Sequence, residues 1–203
     1  VAESLARRIS TTDVKALIGG LAQTNHYLVN FSSLRKPIYD YLARFTGRSD
    51  IKTFLGRKAG ILCNEASLPT SRMASGVVKD SFMGVPQEYA HTRLYNDIDF
   101  TFYVDQDYTL LKVFEGWMEY ISSGANAWVG QENSSYYRRM RYPDSYKVDS
   151  MYIRKFERGH ESQLKYRFIN AYPKQISPLT VSYAPAEVLK VNVTFNYDRY
   201  VVF

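Results

Sequence analysis

One cysteine in 203 residues, Cys63, excludes an intramolecular disulfide framework and suits a reducing compartment. Histidine is nearly as scarce. His26, His91 and His160 have no His or Cys at metal-ligand spacing, which argues against a zinc motif. No apolar run approaches the roughly 20 residues of a membrane helix. The first residues carry Glu3, Arg7 and Arg8 and lack the apolar core of a signal peptide, so neither membrane insertion nor general secretion is expected. Gly19-Gly20 has neither the pattern nor the following Lys-Ser/Thr of a phosphate loop. The close pairs Asp97/Asp99 and Asp105/Asp107 fit turns and helix starts better than acid–base work, and Cys63 in an apolar strand reads as core. The expectation is a protein with no catalytic residues, no metal and no cofactor.

What is abundant is β-forming and aromatic. Apolar residues make up 45% and charged residues 23%, a globular composition, and 18 Tyr and 11 Phe far outnumber two Trp. Tyrosine suits strands and interfaces, where the ring packs and the hydroxyl stays wet. From 187 to 197 the odd positions Leu189, Val191, Val193, Phe195 and Tyr197 are apolar, and Lys190, Asn192, Thr194 and Asn196 between them are polar. That period of two marks an antiparallel strand with one buried face.

The same signature predicts strands from Tyr27 to Phe31, at 61–63, in an extended region of roughly 75–95 with a bulge or turn at Gly84 and Pro86, and from Ile98 to Val104. Further strands are expected at about 147–156, 164–171 and 179–183, the last reached by a connection bracketed by Pro173 and Pro178. Leu110, Phe114, Trp117, Met118 and Ile121 form one wide stripe of a helix at about 107–122. Short helices are expected within 1–20. The fold class is mainly β with helices (α+β), an antiparallel β-sandwich or partial barrel with one flanking helix. The domain plan is one unit, 1–203, comprising N-terminal helices, a helical and loop insertion at 32–58, and a β core at 59–203.

Charge is uneven. The net +6 is concentrated in residues 32–58, where seven cations face only Asp40 and Asp50. A second knot sets Arg138, Arg139 and Arg141 among Tyr136, Tyr137 and Tyr142. Basic residues interleaved with aromatics can hold single-stranded nucleic acid, or can meet another protein subunit.

The order of these features resembles the tail tube family of contractile-tailed bacteriophages. The family's Ala-x-Pro-Asn-x-aromatic-x-Val segment corresponds to Ala22-Gln23-Thr24-Asn25-His26-Tyr27-Leu28-Val29, with Thr24 in place of Pro. A strand with Cys63 that ends at Leu68-Pro69 follows, then an Asp-flanked strand and the helix motif Phe114-Glu115-Gly116-Trp117. Tyr166-Arg167-Phe168-Ile169-Asn170-Ala171-Tyr172-Pro173 and the 187–197 strand complete the match, which covers about 20–31 and 59–200. The departure from the family is the longer 32–58 segment.

The resemblance implies homohexameric rings stacked into a tube. Strands of six subunits would close one continuous inner barrel, with helices outside facing a sheath. Its partners would be copies of itself and the sheath, baseplate and tail terminator proteins, and DNA would pass through the lumen without specific binding. It would reside in the virion tail after assembly in the host bacterial cytoplasm. The alternatives are a baseplate tube-initiator protein of the same fold and a nucleic-acid-binding β domain. Candidate subunit-interface residues are Arg35, Arg44, Arg48, Arg57, Lys58, Tyr136, Tyr137, Arg138, Arg139 and Arg141. Glu65, Asp80, Glu88, Asp97 and Asp99 are candidate carboxylates to receive the basic segment. That segment is expected to order on assembly and to be removable without unfolding the rest.

Overall fold

A computed structural model describes residues 24–31, 34–79, 84–122, 140–149, 151–157, 163–181, 183 and 187–203. The helices expected within 1–20 lie outside these residues. Two four-stranded antiparallel sheets form the framework. The first runs in the order β1 (Tyr27–Asn30), β6 (Met151–Phe156), β7 (Gln163–Ile169), β10 (Arg199–Val202). The second runs β2 (Cys63–Ala66), β5 (Ile98–Tyr103), β9 (Lys190–Asn196), β8 (Tyr172–Ile176). A separate two-stranded ribbon joins β3 (Ser71–Val78) to β4 (Gln87–Tyr95).

The chain crosses between the two sheets twice at one corner. Asn170 stands between β7 and β8 with φ 58°, and its Nδ2 donates to Asp198, 2.6 Å away, between β9 and β10. Lys147 Nζ donates to the same carboxylate at 2.9 Å, and Asp198 N donates to Ile169 O at 3.1 Å. Asparagine tolerates the left-handed conformation because its short polar side chain bonds locally.

Both inner faces are apolar, as the alternation predicts. Val29, Met151, Ile153 and Phe168 project from the first sheet, and Ile98, Phe100, Phe102, Val191, Val193 and Phe195 from the second, all buried. Phe31, just after β1, lies 5.6–6.2 Å by ring centroid from Phe100, Phe102, Phe114 and Phe195. Burying each such ring stabilises the fold by about 1.5–3 kcal/mol.

Two helices cover this core where one was expected. Helix α1 (Lys36–Thr46) has Pro37 in its first turn and ends at Gly47, whose φ of 69° gives a left-handed terminus. Helical turns at Ile51–Thr53 (α2) and Ala59–Ile61 (α3) flank a π-helical turn, Phe54–Lys58. Gly56 therefore sits inside helical structure, not at a break. Helix α4 (Thr109–Ile121) buries Leu110, Val113, Phe114 and Trp117. Trp117 Nε1 donates to Tyr146 O at 3.3 Å, in the short helix α5 (Pro143–Tyr146). A Cβ on Gly116 would stand 2.8 Å from Phe45 Cδ1 and 3.1 Å from Leu42 Cδ2, so the absent side chain lets α4 approach α1.

Several expectations change. The 32–58 segment is no appended loop, because Ile38, Leu42, Ile51, Phe54 and Leu55 are core residues; its removal would open the hydrophobic cluster rather than spare it. The strand read at 61–63 starts only at Cys63, since Ile61 closes α3 and Leu62 donates its N–H to Lys58 O. The strand expected at 179–183 lies earlier, at β8. There Pro173 sits in an edge strand, paired with β9 on one side only, where a missing donor is tolerated. The strand expected at 187–197 is β9, and a further strand, β10, follows the turn at Asp198. The 75–95 region is a hairpin of two strands.

Candidate functional site

The ribbon is the part of the described chain that its own core does not hold. Its strands pair from Ser71↔Tyr95 to Val78↔Gln87, with a bulge between Ala74 and Ser75. The Tyr89 ring lies over Gly76, where a Cβ would be 2.9 Å from its hydroxyl. Ser75 Oγ donates to Glu88 Oε1 across the strands.

At its base the ribbon is anchored on β10. Arg93 donates to Ser71 Oγ at 2.9 Å and to the Tyr200 hydroxyl at 3.1 Å, with its guanidinium 5.3 Å from the ring centroids of Tyr95 and Tyr200. Beyond that anchor apolar groups are left in solvent. Met73 is 60% exposed, Val77 57%, Val78 56% and Tyr89 52%. Met73 and Val77 stand on one face of the ribbon and Val78 and Tyr89 on the other; apolar side chains left exposed on both faces suit a surface that another molecule covers. The sequence carried a weak signal of it: 71–78 and 87–95 lack the strict alternation of β5 and β9, since neither face was to be buried.

The basic candidates are scattered, and several are occupied within the chain. Arg35 donates to Asp144 O and lies 3.8 Å from the Asp149 carboxylate. Arg48 bonds Asp50 at 3.0 Å, Asp107 at 3.3 Å and Thr109 Oγ1 at 3.2 Å. Its hydrogen bond and charge hold the Asp50 carboxyl below the ordinary value. Arg48 and Lys58 meet at a cleft of about 310 Å³ with Phe54, Ile61, Asp105 and Asp107. Arg44 stands on the last turn of α1, complementing its carbonyl end. Arg57 and Lys58 are exposed, without an ion pair among the described residues.

Arg141 ties down the end of α4, donating to Tyr120 O at 2.8 Å with its guanidinium 4.1 Å from the Tyr120 ring centroid. Tyr136, Tyr137, Arg138 and Arg139 lie outside the described residues, as does Asp80. Of the candidate carboxylates, Asp97 accepts from Lys174 at 2.6 Å and Asn196 at 2.7 Å, and Asp99 from Thr194 at 2.5 Å. Burial would lift the Asp97 pKa, but Lys174 and Asn196 hold it below the ordinary carboxylate value.

Burial pushes the Cys63 thiol up to about 12, so it is protonated and inert at neutral pH. Among the described residues no group of three His, Cys, Asp or Glu is placed to hold a metal ion, and no helix is long and apolar enough to cross a membrane.

Residues 22–203 match the sequence family described as phage tail tube protein. The chain belongs to that family. It is a tail tube protein, a structural subunit. Solved structures share its fold. A chain of the sheath–tube complex of an extracellular contractile injection system (PVC, extended state) matches with a TM-score of 0.56 at 11% identity, over 96% of this chain and 99% of that one. A chain from the sheath/tube terminator of the same system gives 0.55 at 11%, over 90% and 96%. One from the anti-feeding prophage baseplate gives 0.53 at 11%, over 90% and 95%. At such identity the likeness is one of fold. Compared by sequence with curated proteins, the tail tube protein has no significant match.

Proposed function

We propose that this tail tube protein forms homohexameric rings that stack into a conduit within a virion tail, and that the β3–β4 ribbon joins one ring to the next. The observation that carries the reading is the ribbon itself. A lone two-stranded hairpin is marginally stable in water, yet this one extends past its Arg93–Tyr200 anchor with Met73, Val77 and Tyr89 exposed. Docking on a second copy would bury those side chains. Sheath surrounds the tube, baseplate and terminator proteins meet its ends, and DNA passes through without specific binding. Such a wall works without catalysis, cofactor or membrane.

Closing the strands across subunits would also remove the free sheet edges β1, β2, β8 and β10. Arg44, Arg57 and Lys58, the candidate cations with no ion pair within the described chain, remain for a neighbour's carboxylates; Glu65 is an exposed candidate to receive one. Assembly takes place in the host bacterial cytoplasm. Electron microscopy of the purified chain, alone and with sheath and baseplate proteins, tests this. Six-fold rings or stacked tubes are expected. A protein that stays monomeric at high concentration and in the presence of those partners would contradict it.

A further inference from the structure

The two sheets turn very different outer faces to their surroundings. On the first, the side opposite the buried Met151, Ile153 and Phe168 carries Arg154, Lys165, Arg167 and Arg199 and no carboxylate from its four strands. None of the four has an ion pair among the described residues. Arg154 and Lys165 are direct cross-strand partners, a like-charge pairing that costs stability unless something negative approaches. Lys165 instead rests 4.4 Å from the Tyr152 ring centroid.

On the second sheet, the side opposite Phe100, Val193 and Phe195 carries Thr101, Asn192, Thr194 and Asn196, with Glu65, Asp97 and Asp99 balanced by Lys174 and Lys190. Asp97 and Asp99 are engaged by their own cross-strand neighbours. This face is polar and nearly neutral, and its carboxylates Asp97 and Asp99 are bonded within the sheet.

Resting on the tube reading above, we propose that the outer face of the β2-β5-β9-β8 sheet lines the bore and that the four-cation face of the β1-β6-β7-β10 sheet is turned away from it. A wall of closed strands must present one sheet face inward. Six copies of the first face would set about 24 cations per ring against a polyanion, which would be held by counterion release and slowed. The second face offers hydroxyls and amides and almost no net charge. The four cations, facing outward, suit an acidic protein surface around the tube.

Thiol labelling of assembled tubes tests the orientation. In a Cys63→Ala background, Thr101→Cys and Arg154→Cys place one thiol on each face. Dissociated subunits of both variants should react with a small maleimide and with a polymer-linked maleimide too bulky for the bore. In tubes, Thr101→Cys should keep the first reaction and lose the second, while Arg154→Cys keeps both. Tubes in which Thr101→Cys accepts the bulky reagent and Arg154→Cys is protected would overturn the orientation alone. Where a variant fails to assemble, a density map of wild-type tubes reads the same point: Arg154, Lys165 and Arg167 lining the bore would overturn it. Absence of any tube from the wild-type chain would instead remove the assembly reading on which the orientation rests.

Discussion

The β5–β9 pair and the β3–β4 ribbon are both antiparallel ladders, and the ribbon's strands are the longer, at eight and nine residues against six and seven. In the first pair every second residue enters the core, and Phe100, Phe102, Val191, Val193 and Phe195 are fully buried. In the second no residue is buried. Both ladders are antiparallel and the ribbon's is the longer, so strand pairing does not decide which ladder the subunit holds firmly. Apolar area removed from water does. The β5–β9 ladder is completed by its own chain, whereas the ribbon presents apolar side chains that only another molecule can cover.

The contrast sets an order of expected effects. Trp117→Ala should cost about 3–5 kcal/mol, because a fully buried ring is lost beneath the sheet; denaturant unfolding of the isolated subunit reads it. Gly60→Ala comes next. Its Cβ would lie 2.1 Å from Val29 O, so α3 or β1 must shift, at about 1–3 kcal/mol by the same assay.

Acid is milder. Asp97 and Asp198 are held below the ordinary carboxylate pKa: burial pulls each upward, and hydrogen bonds from Lys174 and Asn196, or from Lys147 and Asn170, outweigh it. A depressed carboxyl stabilises the fold above its unfolded pKa, and that stability is lost as pH falls through the folded value. The melting temperature should therefore hold from neutral pH to about 5 and decline below about 4. Asp97→Asn should cost about 0.5–1 kcal/mol at neutral pH, given the pair's partial exposure, and flatten part of that decline. The smallest effect belongs to the ribbon. Val77→Ser or Tyr89→Ser should leave subunit stability within about 0.5 kcal/mol, as surface changes do, while reducing assembly.

The buried half of this contrast was legible in the sequence. Period-two alternation located β5 and β9, and the Phe114/Trp117 stripe located α4 and its inner face. The 32–58 segment misled because its seven cations dominate the composition, while Ile38, Leu42, Ile51, Phe54 and Leu55 fall at helical spacing between them. Gly56 lies in the π-helical turn, which absorbs a residue that by itself weakens helices. β8 was hidden by Pro173, whose missing donor matters little on an edge.

Interface residues leave a weaker trace than core residues, since exposed cations look alike whether solvated, paired within the chain or reserved for a partner. Arg48 and Arg141 prove to be intrachain ties, which only long-range geometry could show. Val193 lies between β5 and β8 inside one subunit, so Val193→Pro would break the subunit's own sheet rather than a contact between subunits.

The central claim, that the ribbon is the surface through which rings stack, is tested most directly by electron microscopy of the wild-type chain beside a Met73→Ser/Val77→Ser/Tyr89→Ser variant. The two proteins should melt at closely similar temperatures, the wild type should form stacked tubes, and the variant should stop at unstacked rings or monomers. A variant that stacks into tubes as long as those of the wild type would contradict the account.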